Sequence, residues 1–167
     1  IAIEEASKIY GFVPDDNIDI IIYPKMNEIA SKAGLAMGNE AVGIYYAGTI
    51  SILDPEAGKE GGEEAVEYFI NHGPLLHELI HYVMDYKTRG NIPAWFSEGL
   101  ALYGEYIFNG QEWGKNKNYE DYFTLEEMMD EFYSLDEAKA YKQSFLAVKN
   151  IGDNFGMSGI NQITLEL

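Results

Sequence analysis

The stretch that decides the reading is Gly73-Pro74-Leu75-Leu76-His77-Glu78-Leu79-Ile80-His81-Tyr82-Val83-Met84-Asp85-Tyr86. Its core is His77-Glu78-Leu79-Ile80-His81, two histidines four residues apart with a glutamate between them. On a helix such a pair is separated by ~40° about the axis and ~6 Å along it, so both imidazoles reach one ion. Glu78 stands ~100° from His77, beside a metal and not on it. From there it can accept a proton from a water that the metal activates and hand it to a leaving amine. Leu75, Leu76, Leu79, Ile80 and Val83 make the helix apolar on most sides. Buried histidines and a buried glutamate are costly unless something coordinates or bonds them. Average composition produces this motif by accident in roughly one chain in a few hundred of this length, so it needs a second feature beside it.

That feature comes seventeen residues after His81, at Glu98 in Pro93-Ala94-Trp95-Phe96-Ser97-Glu98-Gly99-Leu100-Ala101-Leu102-Tyr103. Zinc in a catalytic site takes three protein ligands and keeps a fourth position open. Glu98 lies in a stretch of helical period. Gly99 beside it leaves room for another helix to approach closely.

Working outward, Ile1–Tyr10 places Ile3, Ala6, Ile9 and Tyr10 on one helical face, with Gly11 as the stop. Ile18–Tyr23 is a short β-branched run ending at Pro24 and reads as a buried strand. Lys25–Ala33 forms a short helix stopped by Gly34. Val42–Tyr46 and Thr49–Leu53, separated by Ala47-Gly48, read as a hairpin. Gly58–Gly62 is a flexible loop. Helical period then holds from Glu63 to Tyr86 with a break at Gly73-Pro74, over Pro93–Ile107, over Leu125–Phe132 and over Asp136–Phe155. Strands first and helices after describe one α+β domain over residues 1–167. Residues 1–62 are mainly sheet-forming and residues 63–167 are helical.

Composition narrows the partners only a little. The chain has 28 acidic against 11 basic residues, a formal charge of −17. Such a surface repels nucleic acid and anionic lipid. It could favour cationic substrates, but the first reading of such a solvated acidic surface is solubility. The absence of cysteine excludes disulfides, thiolate metal sites and cysteine nucleophiles. No apolar run approaches the ~20 residues of a membrane span. The start at Ile1 fits a processed or trimmed chain, with any targeting segment outside it.

His-Glu-Leu-Ile-His followed by Pro93-Ala-Trp-Phe-Ser-Glu-Gly-Leu-Ala-Leu-Tyr-Gly-Glu105 resembles the gluzincin zinc metallopeptidases, most closely the peptidase MA-like group. The resemblance is strong over Gly73–Glu105. Tyr141-Lys142-Gln143-Ser144-Phe145 and Asn154-Phe155-Gly156 are similar to later segments of that group. The resemblance implies a zincin-type fold, a small mixed sheet over a central metal helix with a helical lower half. It implies Zn2+ held by His77, His81 and Glu98, with Glu78 as general base and a peptide or protein as substrate. Zinc suits His₂Glu ligation, which accepts cobalt or manganese as well. The resemblance further implies that Gly43, Ile44, Tyr45 and Tyr46 form an outer strand that binds substrate backbone at the sheet edge, with Thr49–Leu53 as inner partner. It implies an oxyanion donor, for which Tyr141 is the candidate.

Thermolysin-like relatives orient a histidine with an aspartate four residues beyond the third ligand. Leu102 stands there in this chain, and Glu105 is the candidate replacement. His72 reads as a capping or surface residue and not a fourth ligand. The strand Gly43–Tyr46 carries no acid or amide to hold a substrate amine, which favours endopeptidase over aminopeptidase action. Relatives of this type are often secreted or anchored on the outside, so the expected location is extracellular or cell-surface. Two other readings compete: a catalytically silent zinc-bearing scaffold domain of a surface protein, and a latent enzyme whose tail Ser158–Leu167 covers the cleft. The intact Glu78 argues against the silent form.

Overall fold

A computed structural model describes residues 2–32, 42–56 and 63–167. The histidine motif lies on helix α4, Leu75–Thr88, which begins directly after Pro74. The preceding helix α3, Glu63–His72, ends one residue before Gly73. Pro74 therefore separates two helices at the sequence-predicted break, where its missing N–H costs nothing. Arg89 and Gly90 both turn left-handed at the other end (φ 54° and 77°), and the Gly90 N–H closes on the Asp85 carbonyl at 2.9 Å. Between these stops α4 buries Leu76, Leu79, Ile80, Tyr82, Val83 and Met84, so it is the central helix of the core.

Helix α5, Ala94–Asn109, packs against α4 and carries Glu98. Helix α7, Glu137–Glu166, lies along α5, and helix α1, Ala2–Tyr10, lies along α4. The closeness of these crossings is set by glycines. A methyl group added at Gly99 would stand 2.6 Å from the Ser144 carbonyl oxygen and 2.7 Å from Val148 Cγ2 on α7. One added at Gly104 would stand 2.3 Å from Ile80 Cδ1 on α4. The close approach read from Gly99 is thus the α5–α7 contact, with backbone oxygen on the far side that cannot step away. Gly99→Ala is expected to lower stability by about 2 kcal/mol, the cost of overpacking a tight core. A urea midpoint unchanged from that of the parent chain would refute the assignment.

The sheet has three strands in the order β1-β3-β2, where β1 is Asp19–Tyr23, β2 is Gly43–Tyr46 and β3 is Thr49–Leu53. Strands β1 and β3 are parallel, with Ile21 opposite Ser51; β2 and β3 are antiparallel, with Tyr45 opposite Ile50. Ala47 and Gly48 between β2 and β3 both adopt positive φ (48° and 79°), the primed turn that a two-residue hairpin requires. Helix α2, Met26–Lys32, sits beside β1 and β3. The end of its expected span at Ala33–Gly34 and the expected loop Gly58–Gly62 lie outside the described residues.

Two expectations need correction. The run Ile18–Tyr23 is not a buried strand: Ile20, Ile21 and Ile22 are 43%, 43% and 59% exposed. A continuous β-branched run is typical of strands covered on both faces, but among the described residues β1 pairs only with β3 and ends the sheet. The second concerns the division of the chain. Helix α1 belongs with the helices and not with the sheet, since Ala6 and Tyr10 are wholly buried in the main core and the Tyr10 hydroxyl donates to the Leu100 carbonyl.

The segment after α5 is organised by local caps. Thr124 and Glu127 form a capping box on helix α6, Leu125–Asp130, and Asp136 caps the Lys139 N–H at the start of α7. A 3-10 turn, Phe132–Ser134, joins them. Met128, Phe132 and Ala140 make a second small core below Trp95 and Tyr141. Helix α7 breaks at Gly156 (φ 64°, ψ −173°), one residue beyond the expected helix end at Phe155, and a further helical segment follows. No helix among the described residues is long and apolar enough to cross a membrane.

Candidate metal centre

His77 and His81 project from one face of α4 toward Glu98 of α5. His77 Nε2 stands 3.2 Å from Glu98 Oε2, and His81 Nε2 stands 3.5 Å from the same oxygen. One ligand atom from each of the three residues lies within 4.8 Å of the others. Tetrahedral zinc with bonds of the usual length separates its ligand atoms by ~3.3 Å. The three donors are close enough that the set could hold a metal ion. Residues 77, 81 and 98 are each mostly buried, which excludes a casual cluster of surface acids.

The remaining imidazole nitrogens are also engaged. His77 Nδ1 lies 3.3 Å from Glu105 Oε2 and His81 Nδ1 lies 2.8 Å from Ser97 Oγ. A carboxylate only accepts, so the Nδ1 of His77 carries hydrogen and its Nε2 is left to face the cluster. Glu105 is two helical turns beyond Glu98, which is why both reach the same helix from α5. In the sequence Glu105 stood out only through the resemblance, as the candidate in place of the aspartate expected where Leu102 stands. Sequence reasoning missed Ser97, whose neighbour to Glu98 in sequence carries no such signal.

Burial opposes a charged His77, but the carboxylates of Glu105 and Glu98 outweigh it and hold its pKa well above the ordinary value. Glu98 is likewise opposed by burial and carried far down by His81 and His77. A metal must displace the His77 proton, so affinity falls about tenfold for each pH unit below that raised pKa. Affinity therefore continues to climb above pH ~6.5, where an ordinary histidine has already lost its proton. Protonated His77 conversely stabilises the metal-free protein, fully below pH ~6.5 and less as pH rises through the raised pKa. Glu105→Gln is expected to shift the pH profile of metal affinity downward and to weaken affinity by about 10–100-fold at high pH. Metal titrations at several pH values check this, and a profile that does not move would exclude Glu105 as the orienting partner.

Glu78 sits beside the cluster without joining it. It is 6% exposed, and its Oε2 accepts the Tyr45 N–H of β2 at 2.7 Å. In a two-residue hairpin the Tyr45 position is one whose N–H and C=O point away from β3, so this outer edge faces α4. Gly43 makes the approach possible, since a methyl group there would stand 2.5 Å from Pro74 Cβ and 3.1 Å from Glu78 Cγ. Among the described residues Gly43, Ile44, Tyr45 and Tyr46 pair only with β3, and the outer edge they form lies against α4 with the Tyr45 N–H taken by Glu78. Burial pushes the Glu78 carboxyl up, while His77 and His81 draw it back down.

Tyr141 is half-buried on α7, stacked on Phe132 with ring centres 5.7 Å apart, and its hydroxyl faces Glu98. Burial and the Glu98 charge push its phenol far up, so it keeps its proton. A second tyrosine, Tyr133 of the 3-10 turn, lines the cleft with Tyr45, His81, Asp85, Ser97 and Glu98. Nothing in the sequence singles out Tyr133 among thirteen tyrosines. His72 is exposed at the end of α3, 4.9 Å from the Tyr68 ring, and takes no part in the cluster. The tail Ser158–Leu167 runs beside α1 and the end of α4, with Lys87 donating to Asn161 and Asn91 to the Leu167 carbonyl.

Scans against protein-family models, curated proteins and solved structures find no match to this chain.

Proposed function

We propose that this chain is a zinc-dependent peptidase of gluzincin type on a zincin fold, acting within peptide chains and not at an amino end. The observation that carries the proposal is the place of Glu78. A purely structural metal site has no use for a buried carboxylate that stands next to the candidate ligands, is not one of them, and is held by the N–H of the outer edge of β2.

His77, His81 and Glu98 would hold the ion. When bound, zinc polarises a carbonyl and makes a nearby water acidic near neutral pH. The chain's own residues do the rest. An extended peptide would add to the outer edge of β2, taking the Tyr45 N–H from Glu78 and bringing its own backbone alongside that carboxylate. Glu78 takes a proton from the attacking water and returns it to the leaving nitrogen. A tyrosine hydroxyl, from Tyr141 or Tyr133, donates to the developing oxyanion. Burial of Glu78 and Glu98 keeps bulk water from screening these charges.

The test is cleavage of a mixed peptide library by zinc-reconstituted protein, followed by mass spectrometry. Internal cleavage that stops on chelation and returns with zinc supports the reading. Stoichiometric zinc with no cleavage anywhere in the library would overturn it in favour of a scaffold domain.

A further inference from the structure

The cleft lined by His81 and Glu98 also holds an acid, Asp85, that has no cationic partner among the described residues. Asp85 follows His81 by four residues on α4, so it occupies the same helical face one turn on. Its Oδ2 accepts the Tyr45 hydroxyl at 2.7 Å, which holds the carboxylate in place. By contrast, Glu98 and Glu105 pair with histidines and the Glu78 carboxylate takes the Tyr45 N–H. Among the described residues Asp85 enters no ion pair, although it is half-buried in the wall of a cleft.

His81, Ser97 and Glu98 form the polar side of the cleft, and its other side is apolar or aromatic. Ile92 and the ring of Tyr45 line it, and the Tyr133 ring stands at its mouth, 80% exposed. A carboxylate set among aromatic and aliphatic surface fits a side chain with an apolar stem and a cationic head. The stem lies on the rings and Ile92, and the head meets the fixed oxygen. Tyr45 belongs to the strand edge where substrate backbone would run, so the cleft opens beside the peptide and not at a remote surface. A formal charge of −17 raises the local concentration of cationic peptides further.

We propose that this cleft is a subsite for a lysine or arginine side chain of the substrate, and that Asp85 is the residue that selects it. The proposal rests on the peptidase reading for its substrate class, but binding tests it without turnover. The probe is an alanine hexapeptide with one central arginine, compared with its twin carrying neutral citrulline. Calorimetry on the zinc-loaded Glu78→Gln protein should show the arginine peptide binding about tenfold tighter, the effect of one charge-assisted contact in a half-exposed cleft. Asp85→Asn keeps an oxygen for the Tyr45 hydroxyl and removes the charge, so the ratio should collapse toward one. A ratio near one in the Asp85 parent, or an undiminished ratio in D85N, overturns the assignment. The parent comparison stands even if D85N fails to fold. Turnover of the same peptides by the protein with Glu78 intact separates the two claims. Arginine preference without cleavage sinks the peptidase reading alone, and cleavage without arginine preference sinks the subsite alone.

Discussion

Glu78→Gln is expected to leave zinc in place and to lower turnover by roughly 10³-fold, within the range for loss of a general acid–base. The two side chains have the same shape, and the glutamine oxygen still accepts the Tyr45 N–H that Glu78 accepts at 2.7 Å. The three ligand atoms come from His77, His81 and Glu98, so the ion loses no partner. What disappears is the group that takes the proton from water. Stability should hold or rise, because a carboxylate only 6% exposed is replaced by a neutral amide. Zinc stoichiometry and kcat measured on one preparation decide the matter. Substantial turnover by a zinc-replete Glu78→Gln protein would falsify the assigned role.

Glu98→Ala should have the opposite signature. Its Oε2 is the atom both histidines share, at 3.2 and 3.5 Å. Removing it leaves two imidazoles, and affinity should fall well beyond the ~10–100-fold that loss of an outer partner costs. The helix should survive. Phe96, Leu100, Ala101 and Leu102 still bury α5, and the close α5–α7 crossing at Gly99 is untouched. Mass-spectrometric metal content of the parent and the variant, purified in parallel, is the direct measure. About one zinc per parent chain and little in the variant is the expected outcome. Zinc retained in full by Glu98→Ala would mean that the ligand set is different.

Much of the site was legible in the sequence because it is written in helical periodicity. His77, Glu78 and His81 have a fixed angular relation on any straight helix, so the face they share follows from spacing alone. The break at Gly73-Pro74 and the hairpin at Ala47-Gly48 follow from backbone chemistry that only one or two residues control. Glu98 next to Gly99 announced a crowded crossing, and Gly99 does meet α7.

Other features depend on how finished elements meet. The Ile18–Tyr23 run is apolar whichever strand neighbours it, so its composition could not reveal that β1 ends the sheet. Which tyrosine faces Glu98 depends on the α5–α7 crossing and on the turn that carries Tyr133, neither of which has a local signature. Ser97 reaches His81 only because α5 lies against α4 at that height. Asp85 acquires meaning only when β2 brings the Tyr45 hydroxyl to it across forty residues of chain. Sequence by itself therefore determined most of the elements, the helical face that His77 and His81 share and the glutamate between them, all of them local geometry. Tertiary structure alone decided that Ser97 meets His81, that β1 ends the sheet and that Asp85 meets Tyr45 in the cleft, because those are set by packing between segments far apart in the chain.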